Sequence, residues 1–368
     1  MRTPICDQLG IDYPIFGFTP SEHVAAAITR AGGMGVLGCV RFNDGTDLDE
    51  VLTWMDDNTD GKPYGVDIVM PMKVPTEGTP KDLGELVPEG HRRFVDDTLR
   101  KLGVPPLDQG AEHRDAVLGW LHSVARAHVD VSLSHPIRLI ANALGSPPKD
   151  VIDRAHDAGV PVAALAGKAG HAQSHVDNGV DIVVAQGYEA GGHTGEIATM
   201  VLTPEIVDAV GGQVPVLAAG GIGSGRQAAA ALALGAQGVW MGSAWLTAQE
   251  YTLGGEHSAI KDALLAASSS DTVRTRIYTG KPARLLRNRW TQAWEDADAP
   301  EPLPMPLQNI LVSEAHQRMN QSDDPSVVAM PAGQIVGRMN VVRPVAELFA
   351  EIVEEYARTV EHLHSLQK

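Results

Sequence analysis

The residues whose types and spacing best suit chemistry lie between Gln186 and Ser243. The run Gln186-Gly187-Tyr188-Glu189-Ala190-Gly191-Gly192-His193-Thr194-Gly195 sets a histidine among glycines directly after a β-branched stretch. Absent side chains let a ligand approach the backbone, and imidazole changes charge near neutral pH, so His193 is the candidate acid or base. The competing reading is a surface histidine that only hydrogen-bonds its own loop; a place just beyond a strand favours the chemical one. Gln186 can donate to or accept from a planar heterocycle. Glu189 could orient the loop, but is read as solvated.

Two further glycine-rich turns follow. Ala218-Ala219-Gly220-Gly221-Ile222-Gly223-Ser224-Gly225 opens into an alanine-rich helix, and Met241-Gly242-Ser243 ends the next β-branched run. Backbone N–H groups freed of side chains, with a helix N-terminus behind them, suit an anion. Tight turns also use glycine, but two such loops after adjacent strands point to phosphate.

Other chemistries are less well supplied. The chain has 14 histidines, most of which must be unremarkable. His91, His113, His122, His171 and His175 lie on or beside helical stretches and are assigned to surfaces. His257, His316, Trp290 and Trp294 are read as packing or surface residues. No HExxH-like spacing suggests a metal and no GxSxG elbow is present. Gly220-Gly221-Ile222-Gly223-Ser224-Gly225 resembles a dinucleotide fingerprint only superficially, since no acidic residue follows about 20 positions on.

The elements that must position these groups alternate in a βα rhythm. Strands are expected at 13–18, 34–38, 64–69, 129–133, 160–165, 181–186, 214–219 and 238–242. Helices are expected from Ser21, then at 47–58, 111–127, 147–158, 168–178, 204–210 and 226–234. Eight such strands over about 250 residues close a (β/α)8 barrel, whose strand C-termini converge on one pocket. Residues 72–110, rich in Pro, Gly and charge, form an insertion after strand three, read as lid-like or as a passive surface excursion. The division expected is a barrel over 1–250 and a helical extension over 251–368 packed on it, with helices near 258–267 and 344–358.

Bulk properties limit the partners. Of the 368 residues 43% are hydrophobic and 20% charged, which is ordinary globular composition. A formal net charge of -17 disfavours nucleic acid and anionic membranes. Two cysteines, Cys6 and Cys39, cannot build a disulfide framework and read as buried thiols. With no spanning run and no secretory leader pattern, a cytoplasmic protein is expected.

The motifs at 186–195, 215–222 and 229–243 resemble those of the nitronate monooxygenase (2-nitropropane dioxygenase-like) family, which also includes NADH:quinone reductases and FabK-type enoyl-ACP reductases. Looser matches occur at 14–38, 64–67, 283–288 and 332–334. The resemblance implies an FMN-dependent oxidoreductase that oxidises a small nitronate with O2 through reduced flavin. The alternative is an NAD(P)H-dependent FMN reductase acting on a quinone or enoyl thioester. It further implies that Gln186, Gly191 and Gly192 contact the flavin and that Gly220, Gly221, Trp240, Met241, Gly242 and Ser243 hold its phosphate. Gly17, Phe18 and Thr19 would lie along the isoalloxazine, and His193 would be the catalytic histidine. The family's usual asparagine at the end of strand three is Asp67 here, counted with the cofactor-binding residues as a carboxylate near the flavin that would act differently from an amide; the first loop departs from the usual Gln-Ala-Pro-Met, and Lys168 stands where small or hydroxylated residues are commoner. The partners implied are a small-molecule substrate with O2 or NAD(P)H, and a homodimer is one possible assembly.

Overall fold

The computed structural model describes residues 1–70, 80–107, 122–253 and 258–367. Its strands are β1 (Ile15–Thr19), β2 (Met34–Gly38), β3 (Gly65–Ile68), β4 (Ile140–Asn142), β5 (Val162–Ala166), β6 (Ile182–Gln186), β7 (Gly192–His193), β8 (Val216–Ala219), β9 (Gly238–Met241), β10 (Thr272–Thr275) and β11 (Ala283–Leu286). Its first helices are α1 (Pro4–Leu9), α2 (Glu22–Arg30), α3 (Gly45–Asn58), α4 (Pro80–Glu85), α5 (Glu89–Leu102), α6 (His122–Ser132) and α7 (Lys149–Asp157). These are followed by α8 (Ala169–Asp177), α9 (Thr199–Val210), α10 (Gly225–Ala233), α11 (Ala259–Ala266), α12 (Arg289–Ala293), α13 (Leu307–Asn320) and α14 (Val345–Ser365).

Strands β1-β2-β3-β4-β5-β6-β8-β9 close a parallel barrel, with β9 returning to β1 through the pairs Ile15↔Val239, Phe16↔Trp240 and Gly17↔Met241. The (β/α)8 expectation holds. Alternation along each strand sends one set of side chains inward and the other to the helices. Phe16, Met34, Val36, Ala141, Ala163, Val184, Leu217 and Trp240 fill the interior together with Ile5, Cys6 and Leu9 of α1. Val66 and Ile68 face outward onto Leu48, Leu52, Ala125 and Val129.

One strand assignment fails. Residues 129–133 belong largely to α6, where Ala125 and Val129 share a buried helical face, and β4 lies at Ile140–Asn142 instead. The β-branched alternation of Val129 and Val131 imitates a strand, whereas the true strand is three residues long and shows no period. The expected helix at 111–127 lies mostly outside the described residues, as do His113 and His257. Helix α9 starts at Thr199 rather than Pro204, because a distant carboxylate caps it, as described below.

The region after residue 251 contains strands as well as helices. Strands β10 and β11 pair antiparallel, and β11 pairs with β7 from the loop after β6. Helix α14 packs on α2 and α10, with Phe349 and Ile352 buried among Ile15, Ile28 and Trp245. The described part of the 72–110 insertion packs against the same region. Val95 and Leu99 of α5 cluster with Trp290, Val312 and Met319, and Arg318 donates to the carbonyls of Val104 and Pro105. No helix among the described residues is long and apolar enough to cross a membrane.

Candidate active site

The inward faces at the C-terminal ends of the strands make one layer. Because Val66 and Ile68 point out, Asp67 points in, between its register partners Gly38 and Ala141. By the same parity Gln186 points in from β6, since Val183 and Ala185 face the helices. Phe18 and Trp240 complete the layer, their rings stacked at 6.4 Å, with the Phe18 ring seated over the space a Gly38 side chain would fill. Among the described residues no side-chain hydrogen bond engages the Gln186 amide, and the Asp67 Oδ1 is buried without a partner. Burial drives the Asp67 carboxyl up to about 7, the Ala143 N–H opposing it.

The other residues expected at the first strand and at β9 divide by face. Gly17 and Met241 point outward. A Cβ at Gly17 would sit 2.3 Å from Ile28 Cδ1, so helix packing explains that glycine. Met241 is buried in the helix layer beside Trp245, whose indole N–H donates to its carbonyl at 2.9 Å. The Thr19 hydroxyl is taken up locally, accepting from Ser21 N–H at 3.1 Å. Trp240 acts through packing, on Phe16 at 6.2 Å as well as Phe18.

His193 sits in β7, opposite Ala283 of β11. Its Nε2 shares a 2.6 Å hydrogen bond with the Thr279 hydroxyl. Burial, with the charge of Lys281 adding to it, holds the imidazole down at about 4, so it is neutral at physiological pH. Arg284, buried on the neighbouring strand, donates twice to the Tyr188 carbonyl and lies 4.4 Å from the Tyr188 ring centroid. It braces the turn that leads to the histidine.

The loop after β6 is tied from both sides. Glu189 is not merely solvated: its carboxylate accepts from both the N–H and the hydroxyl of Thr199, at 2.9 and 2.8 Å, and so caps α9. Gly191 and Gly333 pack backbone to backbone, a Cβ on either coming within 3 Å of the other's chain. The Ser243 hydroxyl accepts from Gly333 N–H at 2.8 Å, which joins the turn after β9 to the same segment. Gly192, at φ +72°, has open space where a side chain would stand.

Gly220 and Gly221 adopt φ of +100° and +68°, a region that glycine enters without strain. A Cβ on Gly220 would also strike the Thr199 hydroxyl at 2.8 Å. The helix end behind them is not offered to an anion, contrary to the reading from sequence. Glu355 of α14 accepts from Gly225 N–H at 2.8 Å and Arg226 N–H at 3.4 Å, and pairs with the Arg226 guanidinium. Gly225 itself lacks a side chain because α14 passes there, Ile352 O lying 2.2 Å from where its Cβ would be. The Gly220-Gly221 and Gly242-Ser243 turns are left without that helix end behind them.

Lys168 is exposed at the N-terminus of α8. His175 is buried, contrary to the surface assignment, because its two nitrogens bond Ser146 Oγ at 2.7 Å and Leu165 O at 3.1 Å. His316 packs on the rings of Tyr278 and Trp290. Among the described residues no cluster of His, Cys, Asp and Glu is arranged to hold a metal ion.

Sequence reasoning gave no role to Thr199, Thr279, Arg284 or Glu355, whose partners lie from 10 to 130 positions away. The Glu355–Gly225 contact, for example, spans 130 positions and leaves no local spacing signal.

Comparison with known proteins places this geometry. The family model described as nitronate monooxygenase matches residues 3–355. A Mycobacterium tuberculosis protein whose monooxygenase name is itself provisional is 49% identical, the match covering 100% of this chain and 99% of the relative. A Staphylococcus aureus (strain N315) protein provisionally named nitronate monooxygenase is 25% identical across 98% of this chain and 99% of its own. Among solved structures, nitroalkane oxidase from Streptomyces ansochromogenes superposes with a TM-score of 0.79 at 27% identity, covering 98% of this chain and 99% of that one. FabK from Thermotoga maritima superposes with a TM-score of 0.74 at 28% identity, covering 100% and 99%.

Proposed function

The chain belongs to the nitronate monooxygenase family and is a flavin-dependent oxidoreductase; on that premise we propose that its flavin is FMN and that it oxidises a small nitronate with O2. The observation that carries the reading is the layer of Phe18, Asp67, Gln186 and Trp240 beneath the barrel mouth, flanked by the two glycine turns. A flat heterocycle fits it: the aromatic and small side chains make an apolar bed, and the Gln186 amide and the partnerless Asp67 Oδ1 are polar handles left for a ligand. The phosphate would rest on Gly220, Gly221, Gly242 and Ser243, with Gly191 and Gly192 alongside.

Bound there, FMN would supply the electron acceptor for the substrate and the donor to O2. The protein's part is positioning and proton handling. Neutral His193, its ring fixed by Thr279, is ready to hold the nitronate's anionic group by a hydrogen bond. The glycine turns at 191–192 allow close approach to that imidazole. The chain's barrel (1–250) supplies the cofactor site and its C-terminal region (251–368) supplies the strand that holds the histidine loop, a division we carry as part of the reading. A soluble, cytoplasmic enzyme without nucleic-acid partners fits the strongly acidic composition.

The test is oxygen consumption by the purified yellow protein. Uptake driven by a small alkyl nitronate and not by NADH or NADPH supports the reading. Uptake driven only by a reduced nicotinamide would transfer the chain to the reductase alternative, and a protein that takes up no FMN would overturn the cofactor assignment.

A further inference from the structure

Asp67 is a carboxyl group in a layer otherwise made of Phe18, Gly38, Ala141, Gln186 and Trp240. Its register partners on both neighbouring strands, Gly38 and Ala141, offer no hydrogen-bonding or charged side chain. It is 2% exposed, and its Oδ1 has no hydrogen-bond partner among the described residues. The titratable groups on the elements packed around it are committed elsewhere. Cys39, in the turn after β2, is a buried thiol pushed upward by burial and by Asp67 itself, and bonds Leu37 O at 3.7 Å. Arg41 in the same turn pairs with Glu22 at 2.6 Å. His128 of α6 is held below its ordinary range by burial, and Tyr64, preceding β3, donates to Asp56 at 2.6 Å. Among the described residues no cation is therefore placed to compensate a carboxylate at this position.

An ionised carboxyl without a partner in an apolar layer is heavily penalised, and such a group takes up a proton instead. The neutral acid then differs from the carboxylate in what it offers a ligand, for it has an O–H to give.

We propose, resting on the flavin reading above, that Asp67 is held as the neutral carboxylic acid and donates its O–H to an acceptor atom of the flavin ring. In this chain the acid would do the work of an amide donor, but with a proton that can leave. Ionisation would remove the donor and set a negative charge against the electron-rich ring. Flavin affinity should therefore be retained at low pH and fall as pH rises above Asp67's own titration, at about 7.

The experiment measures the FMN dissociation constant by quenching of FMN fluorescence, from about pH 5.5 to 9, with the FMN-stripped whole protein and its Asp67→Asn variant. The FMN phosphate titrates near pH 6 in both, so the ratio of the two constants isolates Asp67. The wild-type to variant ratio should be constant below about pH 7 and climb by up to tenfold per pH unit above it. A ratio that stays flat over the range overturns the proposal. Infrared difference spectra of the wild type on adding FMN at pH 7 read the same point without a variant. A shifted carbonyl band of a protonated carboxylic acid supports the proposal, and a carboxylate band alone overturns it. Failure of the wild-type protein to bind FMN at pH 6 would overturn the flavin reading itself, a result distinct from FMN binding with a flat ratio.

Discussion

At the residue scale the account turns on a neutral histidine and two strained-only-for-others glycines. His193 is bonded to Thr279 and kept uncharged by burial, so its basic form prevails at any pH well above about 4. Its titration lies below the ordinary histidine value; the folded state resists the proton, and stability drawn from this burial is lost as pH falls from about 6.5 towards 4. Turnover should accordingly be level from about pH 5.5 to 8 as far as His193 is concerned and drop towards acid, which a pH–rate profile will show. Replacing His193 by Asn should lower turnover about 10²–10⁴-fold while FMN stays bound, as read from kinetics alongside the visible spectrum. Gly220→Ala would force a Cβ against Thr199 at a φ of +100° and should cost about 1–3 kcal/mol of stability, weakening FMN retention as well. Calorimetry with and without FMN measures both effects. These positions can be proposed from sequence because strand ends and missing side chains are local features. Thr279 and Arg284 were not, since they reach His193 and Tyr188 only through the pairing of β11 with β7.

At the element scale, two carboxylates cap helices from outside the local capping positions, one ten and one 130 positions away. Glu355 caps α10: burial works against its charge, but the Arg226 side chain and the two backbone N–H groups prevail and hold it below the usual glutamate range. Its contribution is thus present above the ordinary glutamate titration and disappears as pH falls through the depressed one. Glu355→Ala should lower stability by about 1–3 kcal/mol at pH 7, and the difference in Tm from wild type should shrink as pH falls below the usual glutamate range. Glu189 does the same for α9, and its sequence neighbours gave no sign of it, because the capped Thr199 lies beyond any local capping box. The misplaced fourth strand has a related cause. Val129 and Val131 satisfy a strand's alternation, yet Val129 is buried with Ala125 on a helical face that only the tertiary packing selects. Short β4 is specified by its neighbours, Val66 and Val162, more than by its own three residues.

At the scale of the whole molecule, the barrel could be read from its rhythm because each βα unit repeats the same physical demand: a strand buried on both faces, then an amphipathic helix. The region beyond the eighth barrel strand repeats nothing, and its two strands and its grip on the β6 loop emerged only with the structure. Function inherits this split. On the proposed reading the cofactor bed would be built by the barrel, whereas the histidine is held by the small sheet, so substrate choice could change without disturbing the bed. Rapid anaerobic mixing tests the central claim most directly, with loss of the visible flavin band as the signal. The account predicts that a small alkyl nitronate bleaches the wild-type protein promptly, that NADH does not, and that His193→Asn slows the bleaching by nitronate. Prompt bleaching by NADH with none by nitronate would contradict it.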